Sequence, residues 1–157
     1  MAMPELNYLV QTSDVIPQSF TIETVEALLN YDSCFSELSI IVLGRDEMRE
    51  LNKTYKGSSL STDILTFTAE EGSGDLFICP KNVLLYAHRH GIPFEVRWWH
   101  LIVHGLSHLK NLDHDLYEEA EFFSKDEKKR WEALSFHIPH LKLWNWDLNY
   151  IYQYQGA

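Results

Sequence analysis

His104, His108 and His114 are the residues whose type and spacing point most directly to chemistry. The first two stand four apart, so on a helix their imidazoles share one face and reach a single ion. The third follows Asn111, a residue type that tolerates the left-handed backbone needed to bring the chain back. Three neutral imidazoles leave a tetrahedral metal one open position, which marks a catalytic rather than a closed structural zinc centre. Such an ion lowers the pKa of water from about 15.7 to roughly 7 and polarises a phosphoryl oxygen, chemistry suited to phosphodiester hydrolysis. One zinc ion is the expected cofactor, although three histidines also suit nickel, copper or iron. His100 extends the same helical face and Asp113 adjoins His114, so both are candidates for orienting a ligand imidazole.

The same spacing, +4 and +10, occurs in the zinc peptidase pattern H-E-x-x-H-x-x-G-x-x-H. Here Gly105 stands where those enzymes keep the glutamate that deprotonates water. A peptidase built on these histidines would need its base from elsewhere.

The histidines must be carried by a helix that Pro93 opens and that runs over residues 94–109. Its apolar residues Val96, Trp98, Trp99, Leu101, Ile102, Val103, Leu106 and Leu109 surround most of the axis, as in a helix at the centre of a domain. Upstream, residues 80–90 form a helix between Pro80 and Gly91. Downstream, Asp115 and Glu118 resemble a capping box, and early acids with late Lys128, Lys129 and Arg130 complement the dipole of a structural helix. Strands are expected over residues 5–10, 39–43, 63–68 and 75–79, the last two joined by a Glu-Glu-Gly-Ser-Gly turn. Helices are expected over residues 19–30 and 46–55, with Lys56 opening a loop. Asp63 and Asp75, at strand beginnings, suit local turn bonds. Neither a repeat nor a linker divides residues 1–157, so the expectation is a single α/β metalloprotein domain.

Formal net charge is −10, from 23 acidic residues against 13 Lys and Arg, which excludes nucleic-acid binding through bulk charge. Any polyanion must meet a local patch, and Arg45, Arg49, Lys53 and Lys56 lie at spacings that make a basic helical strip. An ordinary solvated face is the rival account of that strip. The first twelve residues lack the charge and apolar run of a secretory signal, and no aliphatic stretch is long enough to span a bilayer, so a cytoplasmic location is expected. Cys34 and Cys79 form no CxxC and suit buried apolar positions. Within residues 141–157, an aromatic segment alternates from Trp144 to Tyr154 with the period of an extended strand or arm, suited to covering the domain itself, a partner's sheet or unpaired bases.

His104-Gly105-Leu106-Ser107-His108-Leu109-Lys110-Asn111-Leu112-Asp113-His114 resembles the H-G-x-x-H-L-x-G-x-D-H signature of the YbeY family of bacterial rRNA maturation factors. Leu51-Asn52 with Tyr55, Ser61-Thr62-Asp63-Ile64-Leu65-Thr66-Phe67 and Gly74-Asp75-Leu76-Phe77-Ile78-Cys79 agree with its other segments in order and spacing, over about residues 39–134. The resemblance implies a mixed four-stranded sheet flanked by about five helices, and a metal-dependent, single-strand-specific endoribonuclease. It further implies action in 16S rRNA 3′-end maturation and ribosome quality control, with rRNA and the small subunit rather than DNA or a membrane as partners. By position it places the metal on His104, His108 and His114 and the phosphate contact on Lys56, where the family usually has Arg. That exchange replaces a bidentate fork with a point charge. Asn111 replaces a family Gly and is sterically tolerable there. The rival classes are a metal-dependent hydrolase of another substrate, such as a peptidase, and a ribosome-associated binding module with a structural metal.

Overall fold

The computed structural model describes residues 4–31, 34–58, 61–110 and 117–144. Its strands are β1 (Glu5–Val10), β2 (Glu37–Val42), β3 (Ile64–Glu70) and β4 (Ser73–Ile78), and its helices α1 (Ile22–Leu29), α2 (Arg45–Lys56), α3 (Pro80–His90), α4 (Phe94–Leu109) and α5 (Tyr117–His137). The strands form one sheet in the order β1-β2-β4-β3, the first three parallel and β3 antiparallel to β4. This is the α/β arrangement with a mixed four-stranded sheet and a buried histidine-bearing helix that the sequence leads one to expect.

Alternation along the strands divides the interior into two layers. Leu38, Ile40 and Val42 of β2 and Leu76 and Ile78 of β4 face α1, α4 and α5 in the main core, together with Trp98, Trp99 and Trp131. On the other face Met48 and Leu51 of α2 cover Leu65, Phe67, Phe77 and Cys79 in a smaller cluster.

Local differences from expectation have local causes. The first helix begins at Ile22 because the Thr21 hydroxyl caps it, accepting from the Thr24 amide at 3.1 Å. The second helix includes Lys56 and stops only at Gly57, which adopts φ 71°. The β3–β4 turn is shorter than Glu70 to Gly74: Gly72 at φ 79° reverses the chain, and Ser73 and Gly74 already pair with Glu37 and Leu38 of β2. The expected extended arm begins differently, since Leu141 lies in a 3₁₀ turn over Pro139–Leu143, and the Trp131 indole donates to the Trp144 carbonyl at 2.8 Å. Residues 145–157 of that arm, and the Asn111 turn and Asp115 cap, lie outside the described residues.

Asp63 makes no local turn bond. Its carboxylate accepts from the Arg97 guanidinium of α4 at 2.8 Å, both side chains being almost fully buried. Arg97 also stacks over the Tyr86 ring of α3, 3.8 Å from its centroid. Asn82 of α3 holds the preceding residues by donating to the Ser61 hydroxyl at 2.7 Å and the Thr62 carbonyl at 2.9 Å. The Ser61-Thr62-Asp63 segment is therefore a three-way joint between β3, α3 and α4. Removing one member of a buried ion pair leaves an uncompensated charge. Asp63→Ala is expected to lower unfolding stability by about 3–5 kcal/mol. Asp63→Leu combined with Arg97→Met should recover much of that loss, both changes being read from urea denaturation midpoints.

Candidate metal centre

From Val96 to Ser107 every residue of α4 is buried, so its polar side chains must find partners inside the protein. His104 and His108 lie one turn apart, and their Nε2 atoms face each other at 3.1 Å. The ring planes are perpendicular, with centroids 4.6 Å apart. His104 is 1% exposed, whereas His108 is only half-buried, so the pair opens toward solvent on the His108 side. The other nitrogen of His104, Nδ1, lies 2.9 Å from Oε2 of Glu127 on α5, a carboxylate that is fully buried.

An ion bonded to two imidazoles at about 2.0–2.1 Å with tetrahedral angles separates their nitrogens by about 3.3–3.4 Å. The Nε2 pair comes within a few tenths of an ångström of that spacing, so a small adjustment of the two rings lets them share a cation. Among the described residues no three His, Cys, Asp or Glu side chains converge as a ligand set. His114 and Asp113 fall outside the described residues.

His100 lies one turn before His104, with its ring 4.4 Å from that of Trp131. Burial, reinforced by the charge of Arg97, pushes its pKa down to about 3. Beyond His108, the hydroxyl of Ser107 and the ammonium of Lys110 each donate to Asp126 of α5 at 2.7 Å, and Arg130 Nε donates to the same carboxylate at 2.9 Å. Burial alone would raise Asp126, but the charge of Arg130 and the hydrogen bonds from Lys110, Ser107 and Arg130 hold its carboxyl below the usual range.

Gly105 explains why no glutamate follows His104. A Cβ at this position would stand 2.7 Å from Leu76 Cδ1 and 3.1 Å from Thr66 Cγ2, so α4 presses its backbone onto the sheet here and an acidic side chain has no room. The basic residues occupy a different side of the molecule. Thr66 faces α4, so its neighbour Phe67 points to the opposite face, where Lys56 Nζ lies 5.8 Å from the Phe67 ring centroid. Arg45, Arg49 and Lys53 are exposed on the same helix, with Arg49 3.4 Å from Asp46.

Glu127 and Asp126 gave no motif to find them by, and their helix reads as structural from its charge pattern. The signal that was present is positional: Glu127 precedes Trp131 and Leu134 by four and seven residues, on a stripe whose other members are core. An acid on an apolar stripe must have a buried partner.

The YbeY endoribonuclease family model matches residues 9–135, which include both described histidines, His114 and the Asp63 joint. The chain belongs to the YbeY endoribonuclease family. An endoribonuclease YbeY from Aromatoleum aromaticum is 35% identical over 67% of this chain and 70% of its own length. One from Paraburkholderia phytofirmans is 34% identical over 80% of this chain and 84% of its own. The solution structure of TM1509 from Thermotoga maritima superposes with a TM-score of 0.57 at 25% identity, covering 81% of this chain and 89% of that one.

His100 generates a prediction with a definite sign. Its proton is bound near pH 6.5 in an unfolded chain and near 3 in the fold, so stability is unaffected above 6.5 and falls as pH drops from 6.5 toward 3. His100→Phe, which keeps the ring against Trp131, is expected to lose markedly less unfolding free energy than the wild type across that window. Denaturation at several pH values measures the difference.

Proposed function

We propose that this chain is a metal-dependent endoribonuclease that cleaves single-stranded RNA, with rRNA of the small ribosomal subunit as substrate, including the 16S 3′ end, in the cytoplasm. The observation that carries the reading is the facing Nε2 pair of His104 and His108 in a chain of the YbeY endoribonuclease family. No helix among the described residues is long and apolar enough to cross a membrane.

His104, His108 and, by its place in the motif, His114 would hold one metal ion, zinc in the first instance. When bound, the ion supplies Lewis-acid polarisation of a phosphoryl oxygen and lowers the pKa of water to roughly 7. The remaining work falls to side chains. The half-buried His108 leaves the pair reachable by a phosphodiester, while buried His104 sets the depth of the centre. Lys56 lies across the sheet from the histidine pair, so it donates to a backbone phosphate of the bound RNA rather than to the reacting one. Arg45, Arg49 and Lys53 continue its charge along α2, giving an RNA backbone a cationic track on a chain whose net charge of −10 otherwise repels it. Their exposure and the single stem of α2 that carries them support this role.

Elemental analysis is expected to find one metal ion per wild-type chain and none in His108→Ala, which should lose RNA cleavage with it. Lys56→Ala should keep the metal and weaken binding of a single-stranded RNA, raising KM for its cleavage with little change in kcat and reducing the salt slope of binding by about 1. Unchanged cleavage by a metal-loaded Lys56→Ala would end the role given to Lys56. A wild type that binds metal and RNA but cleaves nothing would replace the enzyme with a binding module.

A further inference from the structure

We propose that Glu127 of α5 is the positioning residue of this centre, holding His104 in the one ring orientation and tautomer that presents Nε2 as a bare donor. The inference rests on the metal reading above but is decided by a different property, the state of a ring in the metal-free protein.

Glu127 is 0% exposed, and a carboxylate so placed requires a hydrogen-bond donor. His104 Nδ1, at 2.9 Å, is positioned to be one. With the Glu127 oxygen as acceptor of this contact, the imidazole proton resides on Nδ1 and Nε2 keeps its lone pair. That lone pair is directed at His108 Nε2, 3.1 Å away. A half-turn of the ring about Cβ–Cγ would exchange Nε2 for a carbon and Nδ1 for another, losing both contacts together. Glu127 therefore selects between two ring orientations of similar shape, which packing alone discriminates poorly.

The carboxylate is itself held in register. Asp126, its neighbour, accepts from Ser107 and Lys110 on the last turns of α4, and Arg130 closes the same carboxylate from one turn further along α5. Arg130 is in turn fixed by burial against Phe35, its guanidinium 4.9 Å from that ring. Two successive acids thus clamp α5 to α4 at both the ring and the helix end, so sliding of one helix along the other would break three hydrogen bonds at once. The arrangement is the carboxylate–histidine pairing that commonly raises the basicity of a metal-ligating imidazole.

The test uses the full chain and two substitutions of similar volume. Glu127→Met removes the acceptor without opening a cavity, and Glu127→Gln retains an amide oxygen to accept from Nδ1. Long-range ¹⁵N correlation NMR of the metal-free protein reads the His104 tautomer, and competition against a chromophoric chelator reads affinity for Zn²⁺ and Co²⁺. The wild type and Glu127→Gln should show the Nδ1–H form. Glu127→Met should show a mixture or the opposite tautomer, with metal affinity weakened about 10–100-fold. Glu127→Met with an unchanged tautomer and wild-type affinity would overturn the proposal. Because the tautomer is read without metal, a wild type that shows the Nδ1–H form lost in Glu127→Met, yet takes up no metal, supports the ring-holding role and removes only the metal reading.

Discussion

The structure depends on burying α4 while that helix carries polar side chains. An apolar helix so enclosed would be held by packing alone, and its rotation about its own axis would be set only by shape. Here four of its buried polar side chains are answered from other elements: Arg97 by Asp63 before β3, Trp99 by the Ser19 hydroxyl, His104 by Glu127 and Ser107 by Asp126, the last two both on α5. An unsatisfied group of this kind costs about 1–3 kcal/mol, more when charged. Any rotation or slide of α4 would break several of these bonds together, so the helix has one acceptable setting. That setting turns His104 and His108 toward a common point.

The sheet supplies the complementary constraint. Gly105 allows the α4 backbone to approach Leu76 and Thr66 more closely than any side chain would permit, and the Gly72 amide donates to the Leu109 carbonyl at 2.7 Å, tying the β3–β4 turn to the helix end. The helix is therefore gripped along its glycine face, at its N-terminal half by Arg97 and at its last carbonyls by a hairpin. The chain leaves α4 toward His114 from an anchored point.

Much of this was legible before any coordinates. Periodic patterns, Pro80 and Gly91 at helix ends and the charge order after Asp115 locate the four strands and five α-helices, because burial and chain ends each leave a local mark. The histidine pair was legible for the same reason: four residues on a helix is a distance, not only a spacing. What escaped notice has a common character. Asp63 read as a local turn acid because its partner Arg97 is 34 residues away in sequence, and no local pattern reports a pairing across that separation. Lys56 reads as the start of a loop because the stop signal, Gly57, is its immediate neighbour and a lysine there is compatible with either state.

Glu127 and Asp126 escaped for a subtler reason. Helix charge patterns are usually explained by dipoles and solvent, and α5 satisfies that explanation with acids early and bases late. Acids in the middle of the helix do not fit it, and neither does an Arg130 that is 0% exposed. A charge that no dipole requires, on a stripe shared with Trp131 and Leu134, implies a partner delivered by another helix. The buried polar residues of α4 were already visible in sequence as the groups in need of such partners. Matching orphan donors on one buried helix to misplaced acids on the next would have paired α4 with α5 before the fold was known. The same complementarity explains why α5 and the histidine-bearing α4 are held as a single unit.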